Sequence, residues 1–392
     1  MKKTISILGS TGSIGFTALH IIDKKKKFFN VDLLSANRNF KKICYQIKKY
    51  NPKFFIITNA ETFMKVKKKF KTSKTKILNN FDKINLNKKT DITIAAIPGI
   101  AGLSPTIKLI KLSKKLLIAN KESIICGWNL IKNHSLKNKT KLIPIDSEHF
   151  SIYNILANHK LSEINKIYIT ASGGPFLNYK KNQFKKITPS DALKHPKWKM
   201  GKKITIDSST LMNKILELVE AEKLFNLHNK KLDIIIHPES LVHAIVELKN
   251  GLSKFIYHNT SMIVPLANAI FDGNLDINQF YKIKKKKFAI NIHNLTFKKV
   301  DYKVFPTIFL KKEANRYPSS SIIINACNEI LVDQFLNKNI PFLSIYKIIK
   351  TILNDRNYMK YAIKKPKNLH QINKIDFWAR KITLSKIDKI YV

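Results

Sequence analysis

The segment Thr4-Ile-Ser-Ile-Leu-Gly-Ser-Thr-Gly-Ser-Ile-Gly15 joins a short apolar run to three glycines spaced GxxGxxG, and a helical pattern follows it. The apolar run predicts a β-strand. Glycines directly after a strand allow a tight turn and the close approach of a diphosphate to the amides at the positive end of a helix. The spacing differs from the commoner GxGxxG, so the segment predicts a dinucleotide-binding turn while a purely structural turn stays open.

The same alternation of short apolar runs and helical patterns continues through the first third of the chain. We predict further strands at Val31–Ser35, Phe54–Thr58, Ile92–Ile97, Lys115–Ala119 and Lys141–Ile145. Strands that alternate with helices indicate an α/β domain with a doubly wound parallel sheet, whose ligands bind at the carboxyl ends of the strands. This predicts a Rossmann-like nucleotide-binding domain over residues 1–150.

The rhythm changes after Ile145. An α+β catalytic and lid domain is predicted over residues 151–273, a Lys-rich connection over 274–304 and a small helical domain over 305–392. The elements expected in these parts are strands at Ile167–Thr170, Asp233–Ile236 and around Phe255–Tyr257, and helices from about Ser209 to Phe225, at Ser321–Leu336 and at Phe342–Asn354.

The composition describes a strongly basic globular protein of 392 residues, with 72 Lys and Arg against 26 Asp and Glu and a net charge of +46. The excess is mostly Lys spread along the chain, whereas groove recognition of nucleic acid relies on Arg. We therefore expect a solvated basic surface, with no nucleic acid and no membrane as partner. A functional contact of this surface with either stays open.

Cys44, Cys126 and Cys327 are widely separated and form no CxxC pair, so neither a disulfide framework nor a zinc site is indicated. The first predicted strand begins at Thr4, which leaves little room for a signal peptide. No apolar stretch reaches the ~18 residues that a membrane span needs. A reducing, cytoplasmic location is expected.

The second predicted strand is followed by Asn37-Arg38-Asn39, where an enzyme that uses NAD usually has an acidic residue. A guanidinium at this position can bind a ribose 2′-phosphate through two parallel hydrogen bonds. NADP(H) is therefore favoured over NAD(H), with a solvated surface arginine as the alternative.

Two stretches combine carboxylates in patterns that fit a metal site. Asp146-Ser-Glu148-His149 follows a strand, and residues i and i+2 project to one side. Converging carboxylates repel each other unless a cation holds them, and oxygen ligands suit Mg²⁺ or Mn²⁺. An exposed acidic loop is the alternative.

The stretch Asp207-Ser-Ser-Thr-Leu-Met-Asn-Lys-Ile-Leu-Glu217 opens with residues that cap helices and continues with helical periodicity. Asn213, Lys214 and Glu217 then form a polar stripe on one helix. Glu217 could supply a third metal carboxylate, and Lys214, Asn213 and Ser208 could bind a phosphate or hydroxyl groups. A Lys–Glu pair on the protein surface is the alternative.

Two loops add candidate residues. Thr170-Ala-Ser172-Gly-Gly-Pro175-Phe ends a strand with a hydroxyl at its edge, so Ser172 is a candidate phosphate contact. The segment His195-Pro-Lys-Trp198-Lys-Met200-Gly201, called the lid segment here, combines an aromatic ring, a histidine and hinge residues. An ordinary loop with its Trp packed inward is the alternative.

Six motifs occur in the order GSTGSIG, LIANKES, PIDSEH, ASGGPF, HPKWKMG and DSSTLMNKILELVEA, and in this order and spacing the chain resembles the 1-deoxy-D-xylulose 5-phosphate reductoisomerase family. The match covers at least residues 4–245, and Ile323–Val332 resembles the helical domain of that family. The resemblance implies an NADPH-dependent, Mg²⁺- or Mn²⁺-dependent oxidoreductase that rearranges and reduces 1-deoxy-D-xylulose 5-phosphate to 2-C-methyl-D-erythritol 4-phosphate, an isoprenoid precursor. It also implies a homodimer.

The resemblance also implies roles for individual residues. Those implied to bind NADPH are Thr11, Gly12, Ser13, Ile14, Asn37, Arg38, Asn39, Asn120, Glu122 and Gly201. The implied metal ligands are Asp146, Glu148 and Glu217. Those implied to contact the substrate are Lys121, Ser147, Glu148, Ser172, His195, Ser208, Asn213, Lys214 and Glu217, with Trp198 and Met200 on the lid segment. The residues implied to act in catalysis are Asp146, Glu148, Glu217, Lys121 and His195.

A few positions depart from the family pattern. Asn37 and Ile215 occupy positions where glycine is commoner, and Ser261-Met-Ile263 replaces an expected Asp-Met-Arg.

A plain NADP-dependent dehydrogenase would explain the glycine turn and Arg38 but leave the three carboxylates without a role.

Overall fold

The computed structural model describes residues 2–84, 86, 88–198, 200–281 and 294–391. The chain divides into two compact units. Unit 1 contains Met1–Ser123, Asn129–Phe150 and Ser261–Ile292, and unit 2 contains Ile124–Trp128, Ser151–Thr260 and His293–Val392. The domain bounds expected from the sequence stay a prediction.

The strands are β1 Lys3–Leu8, β2 Phe29–Ala36, β3 Phe54–Ile57, β4 Lys76–Leu78, β5 Thr90–Ala95, β6 Ser113–Ile118, β7 Lys141–Pro144, β8 Ile164–Ala171, β9 Leu232–Ile236, β10 Val242–Leu248 and β11 Ser253–Tyr257. The helices are α1 Ser13–Lys24, α2 Phe40–Tyr50, α3 Ala60–Lys69, α4 Leu103–Ile110, α5 Lys121–Lys137, α6 Ser147–Leu156, α7 Pro189–Ala192, α8 Lys202–Ser209, α9 Met212–Phe225, α10 Ile263–Phe271, α11 Leu310–Ala314, α12 Ser320–Leu336, α13 Ser344–Leu353, α14 Tyr358–Ala362 and α15 Leu369–Tyr391.

Unit 1 is built on a seven-stranded sheet in the order β4-β3-β2-β1-β5-β6-β7, and every pair in it is parallel. The central strands are buried along most of their length, as expected for a sheet with helices on both faces. The predicted α/β class and the six predicted strands are confirmed. The short edge strand β4 was not predicted, because its three residues show no apolar run and none is fully buried.

Unit 2 contains a four-stranded sheet in the order β11-β10-β8-β9. Strands β8 and β9 are parallel, whereas β10 runs antiparallel to β8 and β11. The mixed sheet confirms the predicted α+β class. Strand β10 was missed because its VHAIVEL sequence alternates only in part. The strand lies between β8 and β11, and five of its seven residues are buried.

The helix predicted from Ser209 to Phe225 is wrong at its start. Asp207, Ser208 and Ser209 form the last turn of α8, and α9 begins only at Met212. Leu211 separates the two helices with a left-handed backbone (φ 65°). The residues expected to cap a helix therefore end one instead.

The predicted helical region at the carboxyl end is confirmed. Its helices α12 and α13 correspond to the two helices expected there, and the 23-residue α15 packs along both. The predicted connection 274–304 lies partly outside the described residues; its described part includes a 3₁₀ turn at Ile277–Phe280, with Phe280 buried. None of the described helices is both long and apolar enough to cross a membrane.

Candidate active site

The glycine turn after β1 leads directly into the first helix of unit 1. Gly9 has a left-handed backbone (φ 80°), and a Cβ on it would lie 2.6 Å from the carbonyl oxygen of Ala96. A Cβ on Gly15 would lie 2.4 Å from the carbonyl oxygen of Gly9. Gly12 precedes α1 without a side-chain cap, and no acidic residue occupies the first turn. The helix therefore offers its positive amino end to an anion.

A buried hydrogen-bond network holds this turn in place. The Ser10 hydroxyl donates to Gln46 Oε1 (2.6 Å), and Gln46 Nε2 donates back to the Ser10 carbonyl (3.0 Å). The amide of Gly9 donates to the hydroxyl of Ser35 at the end of β2 (3.0 Å). The turn is thus ordered by contacts within unit 1 before any ligand binds.

Arg38 lies at the adjoining position of the same sheet edge. It follows β2, which pairs with β1, so its cation and the glycine turn share the carboxyl edge of the sheet. Arg38 and Asn37 are exposed. Asn39 accepts a hydrogen bond from the Lys42 amide and caps α2, so its side chain has a structural role that its sequence position did not reveal.

The carboxylate pair lies at the carboxyl end of β7, next to β6. Asp146 Oδ2 lies 3.4 Å from Lys121 Nζ, and Asp146 Oδ1 lies 3.3 Å from His149 Nδ1. The Ser147 hydroxyl donates to Glu148 Oε2 at 2.6 Å. Lys121, Ser147, Glu148 and His149 are all buried, so the alternative of an exposed acidic loop is wrong.

The charge state of Asp146 follows from these neighbours. Burial by itself raises the pKa of a carboxyl group, but the charge of Lys121 and the hydrogen bonds from His149 and Glu148 outweigh it. The pKa of Asp146 lies well below its usual range. A half-buried, anionic carboxylate is therefore present at this edge.

Asn120 and Glu122 adjoin Lys121 at the start of α5. The side-chain oxygen Oδ1 of Asn120 accepts from the Ser123 amide (2.5 Å), and its side-chain Nδ2 donates to the carbonyl oxygens of Ile97 and Gly99. These bonds fix the start of α5 and hence the position of Lys121. Glu122 is buried.

The polar stripe of α9 is buried in unit 2. Lys214 Nζ lies 2.7 Å from Glu217 Oε2, and Asn213 donates to Glu217 Oε1. Glu217 is only 1% exposed, and Asn213 and Lys214 are buried as well. The alternative of a surface ion pair is therefore wrong. Burying ionisable side chains costs free energy, and functional sites are where proteins tolerate that cost.

Ser172 and His195 meet in unit 2 although 23 positions separate them. The Ser172 hydroxyl lies 3.1 Å from His195 Nε2 and accepts from the Gly174 amide at 3.1 Å. His195 Nδ1 accepts from the Trp198 amide (2.9 Å), so the neutral ring carries its proton on Nε2. Burial, and then the charge of Lys214, lower the pKa of His195 to about 4.

The backbone of Ser208 lies next to the turn that follows Ser172. A Cβ on Gly174 would lie 3.2 Å from the carbonyl oxygen of Ser208, so the turn after β8 packs against the last turn of α8. Gly201 begins α8 as its N-cap. The lid segment therefore leads directly into the helix that carries Ser208.

Two supporting contacts were not predicted. His149, three residues after Asp146, would have followed from helical spacing because α6 begins at Ser147. Asp207 pairs with Lys203 (2.9 Å) and accepts from Asn328 of α12 at 2.7 Å. No local pattern could have linked Asp207 to a residue 121 positions away.

Three family models match the chain. The model of 1-deoxy-D-xylulose 5-phosphate reductoisomerase matches residues 5–127, and two models of the carboxyl-terminal domains of that enzyme match residues 142–225 and 258–382. Between them the matches include the glycine turn, the carboxylate pair and the α9 stripe.

Relatives and solved structures agree with these matches. The 1-deoxy-D-xylulose 5-phosphate reductoisomerase of Pelagibacter ubique is 46% identical over 390 residues, which cover 98% of this chain and 99% of that one. A solved reductoisomerase in complex with NADPH, fosmidomycin and magnesium has a TM-score of 0.89 at 30% identity, with 98% of both chains covered. The Zymomonas mobilis enzyme in complex with NADPH has a TM-score of 0.87 at 30% identity over the full length of both chains.

Proposed function

Because this chain belongs to the 1-deoxy-D-xylulose 5-phosphate reductoisomerase family, we propose that the residues described above form the active site of that reaction. The protein is an NADPH- and divalent-metal-dependent oxidoreductase that rearranges and reduces 1-deoxy-D-xylulose 5-phosphate to 2-C-methyl-D-erythritol 4-phosphate, a step of isoprenoid precursor biosynthesis. The observation that carries the site assignment is the buried Asn213–Lys214–Glu217 stripe of α9.

Asp146, Glu148 and Glu217 are the proposed ligands of Mg²⁺ or Mn²⁺. All three supply carboxylate oxygens, which hard divalent cations prefer, and the depressed pKa of Asp146 keeps it anionic. Lys121, His149 and Ser147 orient the first two carboxylates by the contacts given above. When bound, the cation polarises the substrate carbonyl and acidifies its hydroxyl, and NADPH supplies the hydride.

The cofactor site is proposed at the carboxyl edge of the unit 1 sheet. Thr11, Gly12, Ser13 and Ile14 offer the amides of the glycine turn to the diphosphate, and Arg38 pairs with the 2′-phosphate. Asn37, Asn39, Asn120, Glu122 and Gly201 complete the proposed set.

The substrate site is proposed around α9 and the turn after β8. Lys214 supplies the charge for the phosphate or a hydroxyl group, and Ser172, Ser208 and Asn213 supply neutral hydrogen-bonding groups. The neutral ring of His195 carries its proton on Nε2, the atom next to Ser172. It can therefore donate a hydrogen bond to a bound anion from Nε2. Lys121, Ser147, Glu148 and Glu217 are the remaining proposed contacts.

The lid segment is proposed to close over the bound substrate, with Trp198 and Met200 excluding water. Remote binding of the phosphate then helps to hold the reacting carbons in place.

We also propose that the protein acts as a homodimer in the cytoplasm. The three buried thiols, none of which is in a disulfide, support a reducing location.

The assay that tests this proposal follows the consumption of NADPH with 1-deoxy-D-xylulose 5-phosphate, with and without Mg²⁺ or Mn²⁺. Glu217→Gln should lower the metal-dependent rate by at least about 100-fold, because a metal-binding carboxylate is removed. Glu222→Gln, on the same helix and bonded to Asn315, is the matched control and should keep the rate.

The competing assignment is a dehydrogenase without isomerase chemistry. Turnover that persists after the metal is chelated, or a Glu217→Gln variant as active as Glu222→Gln, would favour that assignment and remove the metal site from the proposal.

A further inference from the structure

Two histidine rings lie stacked in the sheet of unit 2 close to the lid segment. The rings of His243, on β10, and His258, directly after β11, have centroids 4.0 Å apart and an interplanar angle of 21°. His243 is 2% exposed and His258 is 3% exposed. A buried pair of parallel rings at contact distance is a rigid element, since neither ring can turn without opening a cavity.

Hydrogen bonds set the orientation of both rings. His258 Nδ1 lies 2.9 Å from the carbonyl oxygen of Asn259 and therefore donates to it. His243 Nε2 lies 3.3 Å from the carbonyl oxygen of His258. The His258 amide donates to the Leu241 carbonyl (3.0 Å), which ties the end of β11 to the start of β10.

The stack faces the lid segment through His243. The ring of Trp198 lies edge-on to His243, with centroids 6.0 Å apart and an interplanar angle of 68°. His258 Nε2 is buried and has no hydrogen-bond partner among the described residues. The described interactions of this ring are therefore its stacking on His243 and the hydrogen bond from Nδ1. The pKa of His258 is lowered by burial, which keeps the stacked ring neutral.

We propose that His258 is a positioning residue for the lid: its stack on His243 holds the ring against which Trp198 packs, and so sets where the lid rests before it closes. Among the described residues, the hydrogen bonds and the ring contact of His258 involve Leu241, His243 and Asn259, none of which is a proposed metal ligand or phosphate contact. The inference rests on the proposed function for the role of the lid, but the position of Trp198 can be measured without any reaction.

The first test is made on the full-length protein without ligands. The chain has three tryptophans, and subtracting the emission of a Trp198→Phe variant isolates the signal of Trp198. Quenching of this signal by acrylamide should increase in His258→Ala, which removes the stack, and should stay unchanged in His258→Phe, which keeps an aromatic ring. His228→Ala, at an exposed histidine of the same unit, is the control.

The second test is the steady-state assay with 1-deoxy-D-xylulose 5-phosphate. His258→Ala should raise the KM for this substrate by about threefold to tenfold, the range expected for the loss of one aromatic pair, with the affinity for NADPH unchanged. His258→Phe should keep the wild-type KM.

A folded His258→Ala protein with wild-type quenching, or with altered quenching but a wild-type KM, overturns the proposal. A folded His258→Phe protein that resembles His258→Ala also overturns it, because stacking is then not the cause. If His258→Ala does not fold, His258→Leu fills the space without a ring and is judged by the same two measurements. Absence of turnover in the wild type would instead contradict the proposed function, since the quenching comparison needs no turnover.

Discussion

Burial and neighbouring charges shift the pKa of Asp146 in opposite directions, whereas both lower the pKa of His195. At Asp146, burial raises the pKa, but Lys121, His149 and Glu148 lower it further than burial raises it. At His195, burial disfavours the charged ring, and Lys214 adds to that effect. Single residues of the site are thus prepared by their surroundings, one as an anion and the other as a neutral donor.

The pKa of His195, about 4, leads to a prediction about stability. An unfolded chain has a histidine pKa of about 6.5, so it binds more protons than the folded protein between about pH 4 and 6.5. The contribution of His195 to the free energy of unfolding therefore rises with pH through this window. His195→Gln should flatten that part of the slope, measured by urea unfolding at several pH values.

The ring itself gives a second measurement of the same property. NMR should find the His195 ring neutral throughout the physiological range. Titration of this ring near its ordinary pKa would contradict the assigned burial and the role of Lys214.

Arg38 leads to a prediction about cofactor choice. A charge-assisted hydrogen bond contributes about 1.5–3 kcal/mol, so Arg38→Ala should weaken the binding of NADP⁺ by about 10- to 150-fold. The affinity for NAD⁺, which has no 2′-phosphate, should hardly change. Calorimetric titration of both cofactors measures the difference directly.

Lys41→Ala is the matched control for Arg38→Ala. Lys41 is an exposed cation in the first turn of α2, three positions from Arg38, and its removal should change NADP⁺ affinity only slightly. Equal effects of the two variants would show that the general basic field, and not Arg38, selects the cofactor.

The ends of the strands and helices determine where the proposed site residues lie. The glycine turn, Arg38, Lys121 and Asp146 all follow strands of one parallel sheet, so their side chains or amides reach the same edge. In unit 2 the turn after β8 packs on the last turn of α8, which brings Ser172 and Ser208 into one neighbourhood.

The first helix depends on Gly15, whose substitution should be costly. In Gly15→Ala the added methyl group would lie 2.4 Å from the Gly9 carbonyl oxygen and 2.6 Å from Ser10 Cα, both of them backbone atoms. We expect a loss of about 1–3 kcal/mol in the free energy of unfolding, because the turn must shift to make room. NADPH binding should be lost with it.

Urea unfolding of the cofactor-free protein measures the cost. Gly12→Ala is the control, since its Cβ would meet only the Gly9 carbonyl oxygen, at 3.3 Å. Equal stability of Gly15→Ala and the wild type would show that the turn adapts freely.

The whole molecule carries a net charge of +46, which opposes its compact state. The described ion pairs are mostly pairs of Lys with Asp or Glu, and the acidic residues are too few to pair with every cation. Long-range repulsion among the remaining cations therefore weakens folding.

Added salt should relieve this repulsion. Raising the NaCl concentration from about 20 mM to about 300 mM shortens the Debye length from about 20 Å to about 6 Å, so the Tm should rise by several degrees. A thermal melt followed by circular dichroism measures the shift, and KCl should act like NaCl if screening is the cause. A Tm that falls or does not change would mean that the surface lysines do not limit stability.

The sequence by itself determined the parallel sheet, its six main strands and the glycine turn, because each depends on local periodicity or on residue chemistry at the end of a strand. The order of the motifs, through the family resemblance, supplied the candidate site residues, whose roles stay a proposal. Tertiary structure alone decided the break at Leu211, a residue with no local preference for a left-handed backbone. Leu211 is 1% exposed, and the preceding carbonyl, that of Thr210, accepts from Thr307. The stack of His243 on His258 and the bond from Asn328 to Asp207 likewise depend on residues far apart in the chain, whose approach is determined by packing and not by neighbouring sequence.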